Sequence, residues 1–294
     1  MPKLRPALLF LGIALTQGCA AFGPPVIPAT TREQRVNRSL YSSGPALDAA
    51  RLQAVLEEDP DDVPALLQLA DRYRKAGDAE ASKVLINRAR KIAPESSLVR
   101  VRHAESLADR GSTLAARWEV ERILQREKFG EAYALKGRLL WERGKKPEAL
   151  AAWEKGWRAQ PPSVDAGVAL ARWEMQQQDW ESAGEKLRLA VAMRPEDAAI
   201  RRSLAQALAG GGDSAGAAEQ LERAVALGDD RRDRYFHLAA LHQRSGDRKA
   251  AEDYFQRGRE IAPDHPLKED VEDLLGAAPE RPSPRSPYRP LGVD

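Results

Sequence analysis

Glycine recurs along this chain at a fixed interval. Gly77, Gly111, Gly144, Gly212 and Gly246 follow one another by 34 or 33 residues once Gln178 is allowed to hold the one missing place. A constant period of that length is the mark of a solenoid, whose unit is too small to bury its own apolar face and must stack on its neighbours. Most of these glycines precede a turn residue, as in Gly77-Asp78, Gly111-Ser112, Gly212-Asp213 and Gly246-Asp247, so each marks a tight turn between two elements. Five residues on stands a small side chain, Ser82, Ala116, Ala149, Ala183, Ala217 or Ala251, where two helices have to approach closely. Four further on comes a bulky apolar residue on the same helical face: Ile86, Val120, Trp153, Leu187, Leu221 or Phe255. Pro60, Pro94, Pro161, Pro195 and Pro263 then stop the second helix, with Lys128 and Asp229 in the two remaining places. The chain is 31% charged and rich in Ala, Leu, Glu and Arg, which favours helix over strand throughout.

The run Leu66-x-x-Leu69-Ala70-x-x-Tyr73, followed by the small, bulky and proline positions, resembles the tetratricopeptide repeat. That resemblance implies an all-α fold, a right-handed superhelical α-solenoid of helix-turn-helix repeats. Six full repeats would cover 63–265, after a degenerate repeat over 31–62 whose second helix falls at 46–59 and whose first lies near Arg32 to Leu40. A helix over 266–275 with charges on one face is expected to cap the stack. Departures from the pattern are local. Lys136 stands where leucine is usual, and Arg100 and His103 hold two core places of the second full repeat, so these units are expected to pack less tightly.

The first residues carry an address. Lys3 and Arg5 precede the apolar run Ala7 to Leu15, too short to span a bilayer but suited to a signal peptide over 1–18. The lone cysteine of the chain, Cys19, follows at once and has no disulfide partner. Gly18-Cys19 resembles a bacterial lipoprotein signal, which implies acylation of Cys19 as the first mature residue, although Thr16 rather than an apolar side chain stands three places before it. Cleavage after Ala21 is the other reading of the same segment. Ala20 in place of Asp resembles the outer-membrane pattern, with the solenoid facing the periplasm. Residues 19–30, with three prolines, form a spacer, and the Pro- and Arg-rich segment 276–294 has no apolar periodicity and is expected to be disordered.

Chemistry is hard to find. His237 and His242 are five apart and miss the i to i+4 spacing of two metal ligands on one helix. Gly210-Gly211-Gly212-Asp213 lacks the Lys-Ser/Thr of a phosphate loop. No cofactor, metal or small-molecule substrate is expected, and no enzyme. Lys3 and Arg5 account for the whole formal charge of +2, so the chain from Cys19 on is neutral, which gives no footing for nucleic acid.

The resemblance implies instead that protein partners lie along the concave face formed by the first helix of each repeat. Its three rows, by register, are Leu67, Val101, Ala134, Val168, Arg202 and Phe236; Asp71, Glu105, Arg138, Arg172, Gln206 and Ala240; and Arg74, Ala108, Trp141, Met175, Ala209 and Gln243. The expected groove comprises Val101, Arg138, Trp141, Val168, Arg172, Met175, Arg202 and Phe236, an apolar floor with a positive rim suited to a segment with apolar anchors and acids. Trp153 takes a core place, and Trp118, Trp157, Trp173 and Trp180 are expected to pack between helices. Lipoproteins of this repeat type resemble the pilotins that help type IV pilus secretins assemble, and repeat lipoproteins of gliding-motility complexes. An adaptor for peptidoglycan enzymes is the alternative.

Overall fold

The computed structural model describes residues 49–229, 231 and 233–276. The leader, Cys19, the Pro-rich spacer, the helix near Arg32 to Leu40 and the tail beyond Gly276 lie outside these. Among the described residues there are fourteen helices and no strand: α1 (Ala49–Glu58), α2 (Val63–Lys75), α3 (Ala79–Ile92), α4 (Ser97–Asp109), α5 (Thr113–Arg126), α6 (Gly130–Trp141), α7 (Lys146–Trp157), α8 (Val164–Gln176), α9 (Trp180–Met193), α10 (Ala198–Gly210), α11 (Ser214–Ala226), α12 (Asp233–Ser245), α13 (Arg248–Ile261) and α14 (Leu267–Gly276). Helices α2 to α13 each pack mainly on their two chain neighbours, and α14 packs on both α12 and α13. None is long and apolar enough to cross a membrane.

The turns explain the period. Gly77, Gly111, Gly144, Gly212 and Gly246 all have φ between 75° and 91°, the left-handed region that glycine enters without a steric penalty. Gln178 takes the same conformation, at φ 61°, with a side chain in place. The residue after the turn then caps the second helix. Asp78, Asp179, Asp213 and Asp247 accept the amide hydrogens of Ala81, Ser182, Gly216 and Ala250 at 2.8–3.2 Å, which satisfies donors the helix leaves unpaired at its start.

Close approach within each pair falls where the period places it. Ser82 and Ala116, Ala149, Ala183, Ala217 and Ala251 are all buried to 2% exposure or less, and the bulky residue four places on is buried in every unit. Repeats three and four add tryptophans set against glycines. The ring of Trp153 covers Gly137, where a Cβ would sit 2.2 Å from it, and its Nε1–H donates to Ala134 O at 3.1 Å. Trp157 covers Gly167 in the same manner. At the far end α14 buries Leu267 and Val271 against Phe236, Phe255 and Ala262, and its other face carries Lys268, Glu269, Asp270, Glu272 and Asp273. An apolar inner face with a charged outer one lets a stack end in water.

Trp118 corrects the sequence expectation. It does not pack between helices but stands 63% exposed on α5, because its place in the repeat, one turn after Leu114, points away from the helix pair.

Gln178→Gly is expected to relieve the left-handed strain and stabilise α8 and α9 by about 1 kcal/mol, read as slower amide hydrogen exchange in those helices; unchanged exchange would contradict the assignment. Ala217→Leu is expected to overpack the contact of α10 with α11 and cost about 1–3 kcal/mol, checked by thermal melting.

Candidate protein-binding face

Successive first helices touch one another, α4 with α6, α6 with α8 and α8 with α10, whereas no two second helices make a comparable contact among the described elements. The first helices therefore line the tighter side of the stack. Their mutual contact decides which register positions stay open.

The innermost row is mostly swallowed by that contact. Val101 is fully buried among Val63, Leu66, Ala132 and Leu135. Phe236 is equally buried, edge-on to Phe255 at 6.0 Å and stacked on His265 at 5.4 Å, with the backbone of Gly258 directly against it. Neither side chain is available to a partner, and both leave the groove that the register suggests. Val168 remains half-buried, as do Trp141 and Met175 in the third row. Trp141 lies 5.3 Å from Trp153, and the ammonium of Lys146 sits 5.4 Å from its ring centre.

The arginines also divide. Arg138 Nη1 donates to Asp109 Oδ1 at 3.0 Å, and Asp109 faces Arg74 at 3.8 Å on its other side, so one carboxylate links three successive first helices. Arg202 Nη1 donates to Asp229 at 3.0 Å, and the same oxygen accepts from the buried Arg234 at 3.2 Å. That bridging role accounts for an aspartate where other repeats carry the helix-stopping proline. Among the described residues Arg172 alone of the three is exposed and makes no ion pair. The positive rim is thus narrower than the register implies, because two of its three charges are neutralised, Arg138 by the preceding repeat and Arg202 by the turn that follows its own.

A further group of charges, of which the register named Glu105, fills the floor between α4 and α8. Arg102 pairs with Glu105 at 2.8 Å, and Arg194, from the turn after α9, reaches Asp165 at 2.6 Å and Glu131 at 3.7 Å. Glu131 is buried and accepts the Ser163 hydroxyl at 3.2 Å. Burial, reinforced by Asp165 and only partly offset by Arg102 and Arg194, pushes its carboxyl up to about 7. Asp165 is itself half open to solvent; burial raises its carboxyl, but Arg194 and Arg102 outweigh that and hold it below the usual range. Toward the first repeat, Asp71 is raised by burial and lowered further by Lys75 and Arg74, to about 2. The floor is a set of mutually paired charges, fixed before any partner arrives, and the open apolar and cationic groups lie beside it on α6 and α8.

Among the described residues no group of His, Cys, Asp and Glu is placed to hold a cation. His242 Nε2 lies 2.9 Å from Glu222 and its ring stacks on Tyr254, while His237 is largely buried beside Asp233.

A tetratricopeptide-repeat family model matches residues 49–102, and a second tetratricopeptide-repeat model matches 233–265. The chain folds as a tetratricopeptide-repeat solenoid. Among solved structures it is similar to PilF of Pseudomonas aeruginosa, with 17% identity and a TM-score of 0.54 over 72% of this chain and 96% of that one. It is also similar to PilW, described as a widely conserved type IV pilus biogenesis factor, with 19% identity and a TM-score of 0.50 over 71% of this chain and 98% of that one. The APC/C hetero-tetramer Cut9-Hcn1 matches at 14% identity and a TM-score of 0.54, over 84% of this chain and 49% of that one. At such identities the likeness is one of fold. No curated protein matches the chain in sequence. Tetratricopeptide repeats generally bind protein partners in a groove.

Because the fold favours the neutral form of Glu131, its contribution to stability falls as pH rises from about 4.5, the ordinary glutamate value, toward 7. Glu131→Gln, which stays neutral and keeps an acceptor for Ser163, is expected to flatten the loss of stability between pH 5 and pH 8, measured as the shift of the urea midpoint. An unchanged shift would contradict the assignment.

Proposed function

We propose that this protein is a non-catalytic outer-membrane lipoprotein that faces the periplasm and serves as an assembly scaffold for a cell-envelope machine, the secretin of a type IV pilus being the best-supported case. The observation that carries this reading is the first-helix face of repeats three and four. Trp141, Val168 and Met175 offer half-buried apolar surface around the unpaired Arg172, on a floor whose other charges already hold one another. A partner segment with apolar anchors and an acidic residue fits it, since the apolar contacts supply affinity and the single open guanidinium fixes register. Support for the pilus machine comes from the match that spans nearly all of PilW. Support for the anchor comes from the apolar run that ends at Gly18-Cys19. Several acyl chains at about 0.8 kcal/mol per buried methylene make such an anchor effectively permanent.

Two measurements test the reading. Cells fed radioactive fatty acid are expected to label the protein, and Cys19→Ser is expected to abolish the label; a labelled serine variant would refute acylation at that residue. In detergent-solubilised envelopes the secretin is expected to co-purify with the wild-type chain, and Arg172→Glu to weaken that recovery about tenfold without changing helicity. Undiminished recovery would remove the face, and recovery of peptidoglycan hydrolases in place of the secretin would replace the machine.

A further inference from the structure

The second full repeat departs from its neighbours at two core positions, and the departure has a structural result. In the first full repeat these places are held by Leu66 and Leu69, both buried. In the second they are Arg100 and His103, and a cavity of about 570 Å³ opens between α3, α4 and α5, on the second-helix side of the stack and away from the face described above. Its polar and aromatic lining is Arg90, Glu95, Arg100, His103, Trp118, Glu119 and Arg122.

The contrast with the fifth repeat shows that the arginine alone does not explain it. Arg201 occupies the place of Arg100, but it donates to Pro195 O at 2.8 Å and to Gln220 Oε1 at 3.1 Å, and Leu204 follows where His103 stands. Its guanidinium thus finds two acceptors, one in the turn before its helix and one on the second helix of its own repeat. Arg100 is more deeply buried, its side chain 5% exposed, yet only its Nε–H finds an acceptor, Glu119 Oε1 at 2.7 Å. Its Nη2 has none. A buried donor without an acceptor costs stability, on the order of 1–3 kcal/mol, so the arrangement is poor as packing.

The surroundings specify the acceptor. Three guanidiniums line the cavity against the carboxylates of Glu95 and Glu119, and Glu95 is drawn off by an ion pair with Arg126. Arg90 Nη1 lies 2.8 Å from His103 Nε2, so the imidazole takes up one hydrogen of Arg90 and adds no negative charge. The balance is positive. A planar guanidinium edge matches a carboxylate better than it matches a spherical anion. At the mouth Trp118 stands exposed with Arg122 stacked 4.7 Å from its ring centre, an aromatic platform for an apolar side chain. The volume lies within the range that accommodates a few side chains of a bound segment.

We propose that this pocket is a second binding site of the solenoid, which takes the carboxylate of an acidic segment of a protein partner, with an adjoining aromatic or aliphatic side chain seated on Trp118. The site makes the two core substitutions intelligible: the repeat gives up apolar packing at Arg100 and His103 to hold a charge.

Titration calorimetry on the full chain tests it, with acetyl-Glu-Phe-Glu-amide as probe and acetyl-Gln-Phe-Gln-amide as its neutral counterpart. The acidic peptide is expected to bind saturably and the neutral one at least tenfold more weakly. Restoring the two leucines of the neighbouring repeat, Arg100→Leu with His103→Leu, is expected to abolish binding while raising Tm. Trp118→Ala, an exposed change that leaves Tm unaltered, is expected to weaken binding about tenfold, and Arg172→Glu on the other face to leave it unchanged. Absence of saturable binding at millimolar peptide, equal binding of the neutral peptide, or binding retained by the double variant or by Trp118→Ala would overturn the proposal. Displacement of the peptide by equimolar inorganic phosphate would overturn the carboxylate assignment.

Discussion

Among the described residues the fold depends on one backbone event repeated in six units: a residue held at positive φ between the two helices of a pair. That conformation lets the chain reverse in a few residues, so the second helix returns along the first and the two bury a common stripe. The aspartate after the turn then caps the returning helix in four of the six units. With helices of 12 to 14 residues on either side, the period cannot depart far from 34. The inner face follows from it, because the pairs stack with their first helices in contact and their second helices apart. Gln178 shows how firmly the constraint acts, since a side chain that resists this conformation adopts it there all the same.

The second organising force is electrostatic and runs across repeats. Asp109 joins Arg74 and Arg138, Asp229 joins Arg202 and Arg234, and Arg194 holds Asp165 and Glu131 together. Charges removed from water cost desolvation that their attraction only partly returns, so such links contribute less to stability than to the choice of one arrangement over others. Here they fix the orientation of neighbouring first helices. Their effect on binding is a groove with little left to rearrange, in which, of the three arginines the register names, Arg172 is the one still to be matched.

Much of the fold was legible in the sequence. Spacing placed the turns, the small contact residues such as Ala183 and Ala217, and the core residues such as Leu187 and Leu221, because each is set by the geometry of one unit. The candidate face was less legible. Register says which side of a helix a residue occupies, but not how far the next helix covers it, so Val101 and Phe236 read as groove residues although neighbouring elements bury them completely. Nor does register show that Arg138 and Arg202 are neutralised, since their partners come 29 and 27 positions away in sequence. One clue was present: Asp229 in the place of a proline signals a carboxylate with work to do at the start of the next unit. Arg100 and His103 were visible as departures from the repeat, but only the structure shows the cavity they open and the buried, unmatched donor of Arg100.

The central claim is that a protein partner lies on the first-helix side of repeats three and four. Its most direct test is a site-specific photo-crosslink in intact cells, with a benzoylphenylalanine placed in turn at residues 172 and 175 on α8 and at residues 185 and 219 on the second helices. The account predicts the same discrete adduct from 172 and 175 and none from 185 or 219. Adducts absent from α8, or formed equally from the second helices, would contradict it.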